Sequence, residues 1–519
     1  MAGTRLSSYP GWKLITTLII IGLILPVVFV LGNSFSVNFT NWISSTVLLP
    51  LYLRNTSILL IGVASIALAT GISTAWFVTV YEFPFRKHFE WMLILPLSIP
   101  TFINAIAYSG LTDYAGPIRI FLRWIDADVY LDIMNHEGAI FVMGIVLYPY
   151  VYVASRAAFV LQSASLIEVS RSLGQTMSRT FFRVTMPIAW PAVFSGLILV
   201  IMEVLNDYGV VQYYGIPTFT IGIFKSWLAL GDLPSAIFLS LFILIFILIL
   251  VLSDTFIQRK KRLSNEKEDR IFARIISKRK WFLFTLCFLP LLLGFIIPVA
   301  QMIWWAILAS DFEAWAGALS FMGNTSLLAG MAGMAVVLFS IIISYTSRLS
   351  AQNWLTVSFF KLPMFGYAIP GAVIGIGIVA LIIRINPEWI YSGIIALIFG
   401  YSTRFFAVGY GTIESGFKKI PGQLDDAASS LGRRSFGRLT QIHLPILRPV
   451  LIGAFIMVFV DVAKELPLTL ILRPFNFETL ATNAFQYAKD EMAPKSASSS
   501  LLIIFVSSIP VYFLNKLIK

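Results

Sequence analysis

Glu168-Val-Ser-Arg-Ser-Leu173-Gly174, then twelve residues to Pro187 and four more to Pro191, is repeated 258 residues later as Asp426-Ala427-Ala428-Ser-Ser-Leu431-Gly432, Pro445 and Pro449. The spacing matches at every one of these positions. An acidic residue, small residues, Leu-Gly and two prolines at fixed intervals predict a short helix, a tight turn at the glycine and a second helix. Such an element docks something; it does not carry out chemistry.

The chain around these copies is 58% hydrophobic and only 12% charged over 519 residues, with a mean hydropathy of +0.84. That composition excludes a water-soluble globular protein and points to a polytopic membrane protein. Apolar runs of the length needed to span a bilayer, about 20 residues, fall near 14–32, 51–80, 91–110, 138–160, 192–214 and 235–257. A second set falls near 282–308, 325–346, 363–384, 390–413, 447–472 and 499–516. The expected fold is therefore an all-α membrane protein of about twelve transmembrane helices in two parallel six-helix repeats, at 1–257 and 281–519, joined by a basic linker at 258–280. The duplication extends to Asn55-Thr-Ser and Asn324-Thr-Ser, read as helix N-caps rather than glycosylation sites, and to Leu95-Pro96 and Leu362-Pro363.

Positive charge is held on the cytoplasmic side of a membrane. The linker carries Arg259, Lys260, Lys261, Arg262, Lys267 and further basic residues; Arg86 and Lys87 mark the same side, as do the arginines of both repeated loops. Segment 111–137, with Asp113, Asp126, Asp128, Asp132 and Glu137 against Arg119 and Arg123, fits the outside. Both termini and both loops are thus expected in the cytoplasm. The net charge of +12 follows from topology and anionic lipid contact, and no nucleic acid is expected as a partner. Cys287 lies alone in an apolar run, which excludes an internal disulfide and a multi-cysteine metal site. The first apolar run lacks a small-residue cleavage site and reads as a retained helix.

With these residues in view, the chain resembles the permeases of binding-protein-dependent ABC importers, whose cytoplasmic loop E-A-A, three residues, G, with a later proline, docks onto an ATPase subunit. Asp426-Ala-Ala-Ser-Ser-Leu-Gly matches closely; Glu168-Val-Ser departs at the two alanines. A more specific similarity to fused ferric-iron importer permeases is carried by Asn206-Asp-Tyr-Gly-Val-Val-Gln-Tyr-Tyr-Gly-Ile-Pro and by Lys464-Glu-Leu-Pro-Leu-Thr-Leu-Ile-Leu-Arg-Pro. The resemblance implies a permease of the bacterial inner membrane, served by two ATPase subunits inside and a periplasmic substrate-binding protein outside. Glu168, Leu173, Gly174, Pro187, Asp426, Ala427, Ala428, Leu431, Gly432 and Pro445 would form the ATPase-coupling loops. Related permeases for thiamine, polyamines, sulfate or phosphonates share the architecture. No G-x-x-x-x-G-K-[ST] loop is present, so no cofactor is expected on this chain, and ATP and Mg would be used by the partner ATPase. Arg171, Arg433 and Arg434 either contact the ATPase or only enforce topology.

Four carboxylates fall inside the apolar runs. Adding 258 carries Glu203 onto Asp461 and Asp207 onto Glu465, and the i, i+4 spacing would put each pair on one helix face. Charge at membrane depth is costly and usually faces water or a partner. Carboxylates would suit ferric ion, a hard cation that prefers oxygen ligands, and make these four the candidate translocation-pathway residues. In the alternative, Lys464 pairs with one of them and the rest sit near an interfacial belt of Tyr208, Tyr213 and Tyr214. His88, His136 and His443 are scattered and read as interfacial, so no metal ligand set is assigned. A secondary transporter is the competing class, disfavoured because Tyr81-Glu-Phe-Pro-Phe-Arg lacks the loop pattern of the commonest such family and because the long loops follow the fourth helices.

Overall fold

The computed structural model describes residues 10–34, 47–126, 131–162, 169–259, 275–276, 279–309, 312–350, 354–385 and 393–518. Glu168 and most of the basic linker lie outside the described residues. Apolar runs this long leave backbone N–H and C=O groups no partner in lipid except one another, and helices are the result. Among the described residues the sole strand pairing joins Tyr81–Glu82 to Ile275–Ile276 in parallel.

Nine described helices are long and apolar enough to cross a membrane, or eleven if each of two bent pairs is one span. Two of the expected spans are thus bent pairs rather than single straight helices. The runs at 91–110 and 363–384 turn sharply: Arg86–Ser98 meets Thr101–Trp124 at 88°, and Trp354–Ala368 meets Gly371–Ile385 at 109°. Proline causes both turns. Ile99 and Ile369, each preceding a proline, are extended (ψ 119° and 128°), because the proline ring disfavours the helical conformation before it.

The N-cap reading of Asn55 and Asn324 is also corrected. Their helices, Leu49–Val80 and Phe312–Leu349, begin earlier, and both amides reach across to another segment. Asn55 donates to Pro217 O (2.9 Å) and Asn324 to Glu478 O (3.0 Å), corresponding ties in the two repeats.

The chain forms two compact units. One comprises residues 1–42, 223–241 and 317–482. In it the first helix, Pro10–Ser34, packs on Gly371–Ile385, where Gly377 lets the helix backbone approach Pro26 O; Gly375 faces Ile471, and a Cβ there would lie 3.0 Å from its methyl. Small residues at Gly371, Gly375 and Gly377 thus permit close approach of the neighbouring segments.

The other unit comprises residues 43–222, 242–316 and 483–519. Leu49–Val80 packs along His136–Leu161 with Gly71 against Val151, and Met186–Asn206 joins them with Gly196 against Ala154. The helical stretch beginning at Lys280 packs here, Gly294 lying on Ile145. Each unit therefore takes its opening helix from the other sequence repeat. Arg86, read from sequence only as a topology marker, is buried, with Nε 3.1 Å from Glu82, Nη1 2.5 Å from Glu90 and a hydrogen bond to Val78 O.

Candidate functional site

The two repeated loops fold alike. In the second, helix Gly422–Ser430 ends at Gly432, whose φ is +73°. Its N–H donates to Ser429 O (3.0 Å) and that of Arg433 to Ala428 O (3.0 Å), the Schellman pattern that satisfies the last helical carbonyls. In the first, Gly174 has φ +76°, its N–H donates to Arg171 O (2.9 Å), and that of Gln175 to Ser170 O (3.1 Å). No atom lies within 4 Å of a Cβ built on either glycine. The backbone angle, not crowding, selects glycine here. The preceding leucines point outward: Leu173 is 72% exposed and Leu431 81%.

Beyond each turn the chain enters a helix with an inserted wide turn, Phe181–Thr185 in the first copy and Leu439–His443 in the second. The N–H groups of Met186 and Leu444 reach back five residues, to Phe181 O and Leu439 O. Pro187 and Pro445 follow at once. Neither can donate to the preceding turn, and the wider turn carries the helix past a missing hydrogen bond.

The copies differ in what holds them. Behind the second loop, Arg348 donates to Asp425 Oδ2 (2.8 Å), Phe417 O (2.7 Å) and Ile420 O (2.9 Å), while His443 Nε2 lies 2.8 Å from Asp425 Oδ1. Tyr345 donates to Ser435 O (2.6 Å). His443 is fully buried, which corrects the interfacial reading. Burial favours a raised Asp425 pKa, but hydrogen bonds and charge from Arg348 and His443 outweigh it and hold the carboxyl below its usual value. In the first loop the place of His443 is taken by Thr185, and Trp76 packs on Phe159 (5.6 Å) and Phe181 (4.9 Å). One loop rests on an aromatic cluster, the other on an ionic clamp. Asp425 adjoins the motif, but its partner Arg348 is 77 residues away, so the sequence motif did not reveal the clamp.

The helices carrying the four carboxylates stop earlier than the hydropathy suggests. Met186–Asn206 and Leu444–Ala463 both end before the second acid of each pair. The i, i+4 geometry therefore does not apply. Asp207 and Glu465 instead cap the short helices that follow: Asp207 Oδ1 accepts from Val210 N (2.8 Å), and Glu465 Oε1 from Leu468 N (3.2 Å). Both are buried, at 8% and 6% exposure.

Their second oxygens are treated differently. Thr101 donates to Asp207 Oδ2. Arg404, buried, places Nε 3.2 Å from Glu465 Oε2, paired by charge but not aligned as a hydrogen bond, and its Nη1 donates to Ile369 O (3.0 Å). Gly371 makes room for the longer acid, since a Cβ there would lie 2.6 Å from Glu465 Oε1. Of the other two acids, Glu203 accepts from Tyr150 (3.1 Å), and Asp461 pairs with Lys464 (2.9 Å) as the alternative reading had it.

With paired Schellman turns and capped helix breaks at repeat-related positions, comparison with known proteins is direct. The pattern of the binding-protein-dependent transport system inner membrane component matches residues 67–263 and again 337–519. The chain belongs to that family and carries its domain twice. It is similar to the "Fe(3+)-transport system permease protein FbpB 2" of Haemophilus influenzae, 24% identical over 471 residues, 89% of each chain. It is also similar to the "Probable sulfate transport system permease protein cysT" of Nephroselmis olivacea, 26% identical over 208 residues, 40% of this chain and 72% of the relative. A third relative is the "Putative 2-aminoethylphosphonate transport system permease protein PhnV" of Salmonella typhimurium, 24% identical over 242 residues, 45% of this chain and 89% of the relative. Family members are transport components rather than enzymes, and the chain is a multi-pass inner-membrane protein.

Proposed function

We propose that this chain is the fused permease of an ATP-driven, binding-protein-dependent importer of ferric iron. The observation that carries the importer reading is the pair of Schellman turns presenting Leu173 and Leu431 to solvent. Exposed leucines on two copies of one turn are what a pair of ATPase subunits would grip, and the arginines beside them add charge. Glu168, Val169 to Gly174 and Pro187 in one repeat, and Asp426 to Gly432 and Pro445 in the other, are the coupling loops. ATP and Mg act on the ATPase; a periplasmic binding protein delivers cargo; membrane lipid surrounds the chain. Two repeats, 1–257 and 281–519, then hold twelve spans, with both termini and the 258–280 linker in the cytoplasm.

Iron is favoured over sulfate or phosphonate because the similarity to the Haemophilus ferric permease runs through 89% of both chains, whereas the other two relatives match under half of this one. On this reading nucleotide-driven closure moves the coupling loops and, through them, the fifth helix of each repeat. Asp207 and Glu465 hold the breaks in those helices. Glu203 and Asp461, less buried, are the acids proposed to face the pathway.

The test uses cysteines placed at Leu173 and Leu431. Cys287, the one native cysteine, is buried and stays out of the way. In membranes containing the cognate ATPase, both engineered cysteines should cross-link to it, and the yield should change on adding ATP. A chain that cross-links at neither position is not docked through these loops.

A further inference from the structure

Behind the second repeated loop, within one compact unit, lies a cavity of about 300 Å³. Three helices supply its walls: Ser344 and Arg348, one turn apart on Phe312–Leu349; Lys361 at the end of Trp354–Lys361; and Tyr410, Glu414 and Lys418 at four-residue steps on Ile394–Lys419. Arg348 ties the first wall to the third, its Nη1 donating to Phe417 O (2.7 Å), and on the third wall Lys418 Nζ lies 2.9 Å from Glu414 Oε1. Positive charge is left over. Arg348 is matched by Asp425 and Lys418 by Glu414, while among the described residues Lys361 has no acidic partner. Ser344 points independently to a ligand. It is only 3% exposed, it lines the cavity, and among the described residues its hydroxyl has no hydrogen-bond partner. A serine or threonine inside a helix can donate to the carbonyl one turn back, as Thr346 does on the same helix (2.8 Å) and Ser240 on another (2.8 Å). Ser344 forgoes that bond, and a buried hydroxyl left unpaired at a cavity wall is costly unless something binds there.

We infer that this cavity binds a phosphate group, and that the bound phosphate holds the second repeated loop in place. A cation would be repelled by Lys361 and Arg348, and an apolar ligand would leave Ser344 and Lys361 without acceptors. Phosphate oxygens supply acceptors for both, and the single negative charge of a phosphodiester equals the unmatched charge of Lys361. The link to the loop runs through Arg348, which lines the cavity while its Nε donates to Asp425 Oδ2 (2.8 Å) in the first turn of Gly422–Ser430. An anion beside the guanidinium fixes it in that position. The first loop rests instead on Trp76, Phe159 and Phe181 and should not respond. Trp354 and Leu355, exposed at the start of the helix that ends in Lys361, put this wall at the level of lipid headgroups, on the side that the charge pattern assigns to the cytoplasm. An anionic phospholipid is then the nearest source of the phosphate, and soluble phosphate is the other. The site stands whichever cargo the chain carries.

The full-length chain is reconstituted in nanodiscs of phosphatidylcholine alone, in nanodiscs that also contain phosphatidylglycerol, and in phosphatidylcholine nanodiscs with inorganic phosphate added. Amide exchange over residues 422–434 should slow in one or both anionic conditions, while residues 169–175 stay unchanged. Slowing by phosphatidylglycerol alone assigns the phosphate to a lipid headgroup, and slowing by inorganic phosphate assigns it to a soluble ion; either supports the site. Lys361→Gln should raise the amount of the effective anion needed for half the slowing by about tenfold, and Ser344→Ala by about threefold, as expected for losing a charge-assisted and a neutral hydrogen bond. Without anion, Ser344→Ala should unfold at no lower temperature than the wild-type chain, because it removes a hydroxyl that has no partner. No slowing by either anion, an equal slowing of residues 169–175, or an unaltered anion response in Lys361→Gln would overturn the site. A Ser344→Ala chain that unfolds earlier in anion-free nanodiscs would show that the hydroxyl already has a partner, and would overturn it as well.

Discussion

Replacing Arg404 by alanine strips Glu465 of its buried counter-charge and leaves Ile369 O, at the break before Pro370, without its donor. Breaking a buried ion pair from one side costs about 3–5 kcal/mol, because the remaining charge stays out of water. Proton uptake sets a ceiling on the charge part of that cost. Protonating a glutamate of ordinary value, about 4.3, costs about 3.7 kcal/mol at pH 7 and about 1 kcal/mol at pH 5, at 1.36 kcal/mol per unit. Arg404→Ala should therefore unfold in detergent at a clearly lower temperature than the wild-type chain at pH 7, and the gap should narrow at pH 5. Arg404→Ala with Glu465→Gln should recover much of the loss at pH 7, since a neutral amide can still accept from Leu468 N. The corresponding first-repeat change, Thr101→Ala, removes one hydrogen bond to Asp207 and should cost less. Thermal unfolding of the purified variants, monitored by tryptophan fluorescence, makes the comparison. If Arg404→Ala is as stable as the wild-type chain at pH 7, or if the loss is the same at pH 5, charge pairing is not what holds this break.

Gly432→Val should lower coupled uptake through a left-handed backbone penalty of about 1–2 kcal/mol; Gly432→Asn, which tolerates that conformation, should retain most activity, and equal uptake by the two would refute the turn argument. The Asp425 carboxyl is held below its ordinary value of 3.8, so its contribution to loop stability is full above that value and is lost as pH falls through the lower folded value. Amide exchange over residues 422–434 should accordingly speed up in strong acid, and Arg348→Gln should show that faster exchange already at neutral pH while residues 169–175 stay unchanged. Neutralising Glu203 and Asp461 together should reduce transport without releasing the ATPase; wild-type uptake in the double alanine variant at equal expression would remove both from the pathway.

The paired glycine turns are legible in the sequence because their chemistry is local. A glycine after a short helix needs only its own φ, and the two copies at one spacing supply the second observation. Hydropathy likewise locates the membrane helices, but it does not register a change of direction. The bends at Pro100 and Pro370 therefore escape it, although the prolines themselves are visible. The pairing of Glu203 with Asp207 on one helix face presumes an unbroken helix, and the break after Asn206 removes that premise. Arg404, Arg348 and Thr101 are invisible beforehand, because each meets its acid only through packing of helices far apart in the chain. The ionic clamp behind the second loop and the aromatic cluster behind the first differ by substitutions such as His443 for Thr185. Those differences gain meaning only once the two repeats are superimposed in space.

The most direct measurement is ATP-dependent uptake of radiolabelled ferric iron in cells lacking the chain and in cells where it is restored, with thiamine, sulfate, a polyamine and a phosphonate run alongside. Iron uptake lost on deletion and recovered with the wild-type chain is the expected result. Iron uptake unchanged by deletion, with loss of one of the other four substrates instead, would contradict the proposed cargo.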